Sequence, residues 1–523
     1  MTHIIFFFQT QGDCLVITNT CKILELAVPL MSNPNPEFVR QLENDLLMIT
    51  SKQGMAVMES AVACLGAVVN KVTQRHDYVI QSLQKLTAGL HNFLMNHRKN
   101  PTAEIPKPTK GALLRNLYLI GLLFKNFDFE GLNSDKTQSP SDNIMKYYLY
   151  FCQIGDDDIK HKSLMGLGFF CTRYFNCLLT DQLRNLYQQI MSSNRPNAAK
   201  FKVQVLKNIY AGLKMQEANP IDDSDNKEKQ NSDSVAPTSA DAPHYQDDLK
   251  EMFDVQAGLA SNVTQTYLGQ ILNSYFDKDL EVRTAAADVI LLIVAHGLIH
   301  PAKCVPYLIA ATTDPCRSIK QQSEQRLKDI EKRYPNFIWM KAVQGARKSY
   351  ELQQVLQRVA GEEPIRGIVA GVKDDPGSNS VDSAPATLTA IYSILRSNRQ
   401  HRRAFIVSLI KLFDETSDAT LGELVYLADN MVYFPYGTLD ELFHTIAQIE
   451  QHISISGTNL IQSIKDICVA HHQQHMALQG NEYQQMRTII PEDEEEFFQA
   501  QHLYGKPSLL IQTIIQYMFV SLL

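Results

Sequence analysis

Apolar residues recur along most of this chain with the helical period of three to four positions, and the alternation typical of β-strands is almost absent. The predicted helices, one of them Asp181–Met191, follow one another as hairpins joined by polar loops, and the three prolines of Asn100–Lys110 predict one such loop. One of them, Met55–Val72, is apolar on nearly all faces, so we expect an inner helix packed on both sides. The pattern predicts an all-α protein.

Two copies of one motif lie between Tyr275 and Trp339. In each copy an aspartate precedes a Val/Ile–Arg/Lys pair by five residues, and a helix follows. This pattern is typical of a HEAT repeat, in which the aspartate lies at the inter-helix turn, the basic residue reaches a carboxylate and a proline bends the first helix. The signature residues are Asp277, Val282, Arg283, Pro306, Asp314, Ile319 and Lys320. The two copies are 37 residues apart, which predicts a curved or hook-shaped α-solenoid.

Two polar stretches interrupt the predicted helices. Residues 217–254 hold eleven acids and three lysines, and too few apolar residues to bury. The predicted organisation is helical repeats over 1–216, a disordered acidic linker over 217–246, repeats over 247–360, a flexible loop over 361–385, repeats over 386–480, and an acidic segment with a terminal helix over 481–523.

Composition and charge narrow the class of protein. The chain has 523 residues, of which 45% are apolar and 20% charged, as in a globular protein. Nine cysteines without paired spacing predict free thiols in a reducing compartment. We recognise no signal peptide and expect no membrane-spanning run, which predicts a soluble intracellular protein. The net charge is −7, but removing the acidic stretch leaves the rest at +1, so basic clusters elsewhere are not cancelled.

Motifs for enzymatic chemistry are missing from the sequence. There is no phosphate-binding glycine loop, no nucleophile elbow and no HExxH or CxxC motif. Cys468, His471, His472 and His475 share one predicted helix face, but four ligands from one helix rarely close a zinc tetrahedron, so a polar face is the better interpretation. Asp156–Asp158 and Glu492–Glu496 are interpreted as a helix start and a solvated tail. We expect no catalysis, cofactor or metal.

Basic residues are the candidate binding groups. Leu395–Phe405 contains no acid, and on a helix Arg399, Arg402 and Arg403 share one face, where guanidinium groups suit phosphate. The full candidate set is Arg396, Arg399, His401, Arg402 and Arg403, with Lys341, Arg347 and Lys348 from a second basic region. One interpretation is a surface that follows a nucleic-acid backbone. The alternatives are a solvated face, or arginines bonded within the fold.

The same segments resemble the C-terminal HEAT-repeat region of the Nipped-B-like cohesin loader family. The resemblance is collinear over most of residues 1–475. It rests on FFFQTQGD (Phe6–Asp13), KILELAVPLM (Lys22–Met31), CLGAVVNKVTQ (Cys64–Gln74), VQVLKN (Val203–Asn208), DLKEM (Asp248–Met252), GLIHPAKCVPYLIAATTDP (Gly297–Pro315), NRQHRRAF (Asn398–Phe405), YLADN (Tyr426–Asn430) and SGTNLIQSIK (Ser456–Lys465).

The resemblance implies a nuclear, chromatin-associated factor that loads the cohesin ring. It implies contacts with the SMC ATPase heads, the kleisin subunit and double-stranded DNA, and stimulation of the partner's ATPase without an ATPase of its own. The family's disordered N-terminal region and the part that binds a TPR-repeat partner are not in this sequence, so we expect a piece of a longer protein. A generic HEAT adaptor for protein assembly or transport, without DNA contact, is the alternative.

One experimental expectation follows from the basic face. Replacing Arg402 and Arg403 by glutamate is expected to weaken DNA binding and to leave thermal stability nearly unchanged.

Overall fold

The computed structural model describes residues 14–32, 34–101, 105–131, 140–218, 242–357, 365–369, 386–414 and 417–454. Within these ranges all regular elements are helices, and the one β-type pairing is an isolated bridge between Ile368 and Ala386. The predicted all-α class is confirmed.

The first of two compact units comprises Met1–Ser274 and Asp279–Leu298. Its helices are α1 (Cys14–Ala27), α2 (Pro36–Lys52), α3 (Met55–Val68), α4 (Asp77–Lys99), α5 (Lys107–Asn126), α6 (Pro140–Phe151), α7 (Asp157–Arg173), α8 (Asp181–Met191), α9 (Ala198–Ala218), α10 (Ala242–Ser274) and α11 (Leu280–Ala295). Each even-numbered helix packs on the next helix as a hairpin, and α3, α5, α7, α9 and α11 also pack one on another in series. This is an array of stacked helical hairpins.

The second unit comprises Tyr275–Lys278 and Ile299–Leu523. Its helices are α12 (Val305–Ala311), α13 (Arg317–Arg333), α14 (Phe337–Gln357), α15 (Thr389–Leu395), α16 (Arg399–Ile410), α17 (Leu421–Val432) and α18 (residues 439–454). Here α14 is central, because it packs on α12, α16 and α17. Across both units, short 3-10 segments follow or precede the α-helices at Val28–Leu30, Phe175–Leu179, Pro301–Lys303 and Lys411–Phe413, and a π turn at Val69–Thr73 extends α3.

Two glycines allow α5 and α7 to cross in backbone contact. A Cβ atom on Gly121 would lie 2.5 Å from the carbonyl oxygen of Gly166, and one on Gly166 would lie 2.5 Å from that of Leu117. Beside this crossing, the buried Tyr148 hydroxyl donates a 2.8 Å hydrogen bond to the Leu117 carbonyl. Only a residue without a side chain fits at these positions, which fixes how the two helices stack.

The residues of the repeat signature lie at the predicted places, but the roles expected of Pro306 and Lys320 are not observed. Val282 and Ile319 are buried, and Asp314 lies between α12 and α13, where its carboxylate accepts hydrogen bonds from the Tyr275 hydroxyl at 3.1 Å and the Cys316 amide at 2.8 Å. The expectation that Pro306 bends a helix is wrong. It lies in the first turn of α12, where the amide hydrogen that proline lacks would have no intrahelical partner.

The basic residues of the signature differ from each other. Arg283 is buried in α11 with a side-chain interaction, whereas Lys320 is half-buried and has no carboxylate within ion-pair distance in the described part of the chain. The expected pairing of Lys320 with an aspartate is therefore not formed. Asp277 also takes part in an interaction and flanks α11 on its N-terminal side.

The inner helix at Met55 is confirmed and proves unusually apolar. Residues Met55–Thr73 are long and apolar enough to cross a membrane by length and composition, with a mean hydropathy of 1.5. The sequence-based expectation that no run reaches this length is therefore wrong. More than half of the helix, 56%, is buried within the fold, and α3 packs on α1, α2 and α5, as a core helix does.

Two predicted loops contain ordered residues. Proline at 106 and 108 marks the start of α5, because Pro106 is its N-cap and the following proline lies in the first turn. Within the predicted loop 361–385, residues 365–369 are described and pack on α17. The linker residues 219–241, the segments 358–364 and 370–385, and everything beyond residue 454 lie outside the described residues, so the predicted domain boundaries stay predictions.

Candidate DNA- and partner-binding site

The candidate motif forms the start of α16, and its capping residue explains why a helix begins there. Asn398 has extended backbone geometry, and its side-chain oxygen accepts hydrogen bonds from the amides of Gln400 at 2.9 Å and His401 at 3.3 Å. The first turn that follows is basic and contains no acid. Since a helix N-terminus carries partial positive charge, this placement is unfavourable unless anions lie close by.

Those anions come from the start of α18. The sequence Thr438-Leu439-Asp440-Glu441 is a capping box, in which the residue three positions after the cap folds back on it. The Glu441 carboxylate accepts hydrogen bonds from the Thr438 hydroxyl at 3.3 Å, the Gly437 amide at 3.1 Å and the Tyr392 hydroxyl at 3.0 Å. Its side chain is only 3% exposed. Glu441 is therefore a buried charge that needs a cation.

Arg402 supplies that cation. Its guanidinium donates to Glu441 at 3.2 Å and lies 3.6 Å from Asp440, and its side chain is 11% exposed. Arg396 approaches the same Glu441 carboxylate at 3.7 Å and donates to the Pro435 carbonyl at 3.2 Å. The prediction that reversing the charge of Arg402 leaves thermal stability nearly unchanged stays a prediction, but this geometry argues against it, because reversal would place two carboxylates in one buried site.

Asp440 holds the outer arginines. Its carboxylate lies 3.2 Å from the guanidinium nitrogens of both Arg399 and Arg403. Although partial desolvation opposes the effect, these two cations hold the pKa of Asp440 below its usual range. The Arg399 side chain is 64% exposed and that of Arg403 37%, so both are partly accessible to solvent, although the Nε atom of Arg403 is buried.

We call Arg396, Arg399, Arg402 and Arg403 the arginine cluster. Its four guanidinium groups share two carboxylates, Asp440 and Glu441, which leaves a local surplus of two positive charges. The prediction that Arg399, Arg402 and Arg403 lie on one face is confirmed, because all three reach Asp440. Of the three, Arg402 acts within the fold and the other two face outward.

His401 packs into the neighbouring helices instead of joining the arginine cluster. Its ring stacks on Trp339 with centroids 5.5 Å apart, and its Nδ1 lies 3.9 Å from a carboxylate oxygen of Glu331. Burial lowers the pKa of His401 and raises the pKa of Glu331, because it penalises the charged form of each group. His401 is thus placed as a packing residue between α13, α14 and α16.

The residues of the second basic region, Lys341, Arg347 and Lys348, also differ in how they are paired. Arg347 on α14 is held by Glu423 at 2.7 Å and Asp418 at 2.9 Å, and hydrogen bonding to Glu423 raises its pKa. Lys348 pairs with Glu351 at 2.6 Å and lies over the ring of Phe276. Lys341 contacts only the Gln344 amide oxygen, at 3.4 Å, in the described structure. These residues are not brought together with the arginine cluster.

One ion pair was not predicted from sequence. Arg366 donates to Asp429 through two parallel hydrogen bonds of 2.6 and 2.7 Å, and the Asp429 carboxylate is buried. The Gly367 amide donates to the same carboxylate at 3.0 Å. Asp429 lies within the YLADN stretch, and an aspartate in a mainly apolar helix is the signal that predicts a buried partner.

Sulfur and metal-ligand groups add no second site to the described residues. The eight cysteines described are free, as predicted, and burial raises the pKa of most of them. No group of three His, Cys, Asp or Glu side chains in this part of the chain is arranged to hold a metal ion. The helix face with Cys468 and its three histidines lies outside the described residues.

Comparisons with known proteins agree with the motif analysis. The profile of the family described as sister chromatid cohesion C-terminus, Nipped-B_C, matches residues 260–453. The Nipped-B-like protein of Mus musculus is 37% identical over 463 residues, which cover 88% of this chain and 16% of the relative. The Nipped-B protein of Drosophila melanogaster is 33% identical over 454 residues, 85% of this chain and 21% of the relative.

A solved structure shares the fold. The C-terminal fragment of the Chaetomium thermophilum cohesin loader SCC2 superposes with a TM-score of 0.70 at 16% identity, covering 89% of this chain and 32% of that one. This likeness supports the helical-repeat fold alone. The chain spans 16% of the length of the Nipped-B-like proteins that it matches. By its profile match and its collinear similarity to these relatives, the chain belongs to the Nipped-B family of sister chromatid cohesion proteins.

Proposed function

We propose that this chain is part of a cohesin loading factor. It is a non-enzymatic scaffold that binds DNA and the cohesin SMC–kleisin complex, promotes topological loading of cohesin onto chromatin, and stimulates the cohesin ATPase. The observation that carries the proposal is the similarity to Nipped-B-like proteins along 88% of the chain. The name of the structural relative, a cohesin loader, supports it.

The proposed mechanism is binding and positioning. Stacked hairpins present an extended surface to large partners, which a single pocket does not. A scaffold that binds the engaged ATPase heads more tightly than the open ones shifts their equilibrium and so accelerates hydrolysis. The same role places the protein in the nucleus, on chromatin. We further propose a TPR-repeat protein as a partner of the loader.

For DNA contact we propose the outer arginines, Arg399 and Arg403, with Arg396 and the separate Lys341 as secondary candidates. The side chains of the outer pair are 64% and 37% exposed, and the arginine cluster has two more cations than anions. Arginine forks bind phosphate oxygens in a bidentate manner. Arg402 and His401 support this surface from inside the fold, and Arg347 and Lys348 are held by glutamates.

One observation favours the alternative of a HEAT adaptor without DNA contact. Every guanidinium of the arginine cluster already has a carboxylate within 4 Å, which is what a purely structural cluster would show. A surface of this kind can still bind an acidic protein at its exposed edge. The two functions therefore differ in whether the outer arginines are needed for DNA affinity.

The experiment replaces Arg399 and Arg403 by glutamine and measures DNA binding over a salt series. The proposal predicts a loss of about tenfold in affinity and a salt dependence weaker by about two ion contacts. The matched control is Lys85→Gln with Lys328→Gln, which removes the same charge from two exposed lysines of α4 and α13. Equal affinity of the two double variants would support the adaptor function instead.

A further inference from the structure

The first unit carries a basic face that the motif analysis did not identify. From Asp181 to Glu217 the sequence has six lysines and arginines and, between these two residues, no acid. Two of the cations, Lys200 and Lys207, are exposed on α9. Lys160 and Lys162 are half-buried on α7, which packs directly on α9. We call Lys160, Lys162, Lys200 and Lys207 the lysine face.

No carboxylate neutralises the lysine face within ion-pair distance in the described structure. Lys160 instead lies over the Phe201 ring at 4.8 Å, and Lys162 over the Tyr118 ring at 5.1 Å with a 3.6 Å contact to the Met165 sulfur. Lysine stems pack on apolar surface in this way while their ammonium groups stay at the surface. Lys160 and Lys162 are therefore held in place, and none of the four charges has a carboxylate partner within ion-pair distance in the part of the chain that the structure describes.

The acids at the start of α7 are engaged by other groups. Asp156 and Asp158 both lie 2.8 Å from the Lys110 ammonium, and Asp156 also caps the helix. Asp157 accepts a 2.8 Å hydrogen bond from the Asn197 side chain. These contacts distinguish the lysine face from the arginine cluster, whose cations share internal carboxylates.

The pKa of His161 reflects the positive charge of the lysine face. Burial, together with the charges of Lys200, Lys162 and Lys207, lowers the pKa of this histidine to about 4, against the opposing effect of Asp158. Burial and Lys200 likewise lower the pKa of Lys162. Burial disfavours a charge of either sign, but the contribution of the neighbouring lysines to these shifts indicates a positive local potential, which favours anions.

The dimensions and surroundings of the lysine face indicate which class of anion it binds. Lys200 and Lys207 are two helical turns apart, about 10 Å, and packed helices lie about 10 Å from each other. This area suits several phosphates of a duplex, which carries a charge about every 1.7 Å along its axis. Protein partners usually need an apolar anchor, but in the described residues from 105 to 218 no large hydrophobic side chain is exposed.

We propose that the lysine face is a second binding site, for the phosphodiester backbone of double-stranded DNA, independent of the arginine cluster. Lysine ammonium groups contact phosphates as point charges without reading bases, so binding here is independent of sequence. The inference deepens the proposed function by adding a DNA contact in the first unit. It rests on the proposed function only in assuming that the chain binds DNA.

The test compares two double charge reversals in the full chain. Lys200→Glu with Lys207→Glu removes the exposed half of the lysine face, and Lys85→Glu with Lys328→Glu makes the same charge change at exposed lysines elsewhere. Affinity for a fluorescein-labelled duplex of random sequence is measured by anisotropy between about 50 and 200 mM salt. Thermal unfolding of each variant establishes that both remain folded.

We expect the first variant to lose at least about tenfold in affinity, with a salt dependence weaker by about two ion contacts, and the control to lose about twofold or less. Equal losses in both variants would overturn the inference. So would polyglutamate of equal charge competing as well as unlabelled duplex, because the face would then bind acidic protein. Loss of DNA binding only in Arg399→Gln with Arg403→Gln would overturn the lysine face and leave the proposed function intact.

Discussion

Four arginines of one short motif have different roles because of two carboxylates that lie about forty residues further along the chain. Glu441 is enclosed by a capping box and a tyrosine hydroxyl, and Arg402 is buried with it as its ion-pair partner. Asp440, one residue earlier, stays half-exposed and holds Arg399 and Arg403 at the surface. For the three arginines of α16, the burial of the anion thus decides whether the guanidinium contributes to stability or remains accessible to a ligand.

The first prediction tests this division. Glu441→Gln keeps the shape of the site but leaves the buried Arg402 without its main carboxylate partner. We therefore expect a loss of about 3 kcal/mol in the free energy of unfolding. Asp440→Asn removes a half-exposed carboxylate and should cost much less, because surface ion pairs contribute little to stability. Urea denaturation of both variants measures the difference. Similar costs for the two would show that Glu441 is not the structural anion.

The sequence predicted the arginine face but not its partners. Helical periodicity places Arg399, Arg402 and Arg403 together without any tertiary information. Their contacts with Asp440 and Glu441 depend on how α16 and α18 pack, which periodicity does not contain. One local signal was present, since Thr438 followed by Glu441 marks a helix start where a carboxylate folds inward. A basic first turn in α16 was a second signal, because such a turn requires nearby anions.

Among the helices, the crossing of α5 and α7 is the most constrained element of the first unit. The second prediction is that Gly166→Ala destabilises the protein by more than about 2 kcal/mol, because the added methyl group would overlap the Leu117 carbonyl and the Tyr148 ring. Gly155→Ala is the matched control, since nothing lies within 4 Å of its added carbon. Denaturant midpoints that shift equally in both variants would contradict the close approach.

The third prediction concerns α7 and pH. His161 has a pKa of about 4 in the fold against 6.5 as its ordinary value, so the unfolded chain takes up a proton first as the pH falls. The contribution of this group to stability is therefore complete above pH 6.5 and decreases between pH 6.5 and about 4. His161→Gln should make stability less dependent on pH in that window, as measured by denaturation near neutral pH and near pH 4. An unchanged pH dependence would show that other groups are responsible.

Helix boundaries followed from sequence where capping chemistry was readable. The limits Asp181–Met191 of α8 were predicted as the structure has them, with an acidic first turn after Thr180. The start of α5 was missed because prolines at 106 and 108 also suit a loop. Pro306 was assigned a bend for the same reason. A proline alone does not distinguish a helix start from a kink. It fits the first turn of a helix, and inside a helix it causes a kink because a backbone hydrogen bond is lost.

For the molecule as a whole, repeat length and motif order predicted more than composition did. The 37-residue interval between the two signature copies and the collinear motifs led to the helical-repeat fold and to the family, both confirmed by the comparisons. The lysine face was missed because its cations are spaced along two helices and form no compact motif. Charge counted over a stacked pair of helices, instead of over a window of sequence, would have found it.

Whether the chain is part of a cohesin loader is decided by its affinity for the purified cohesin SMC–kleisin complex, measured with and without DNA. If the chain is part of a loader scaffold, we expect a Kd of about 1 μM or lower, tighter when DNA and ATP are present, since the scaffold favours the engaged heads. A HEAT adaptor of another pathway would show no binding at concentrations tenfold higher than that, and this result would contradict the account.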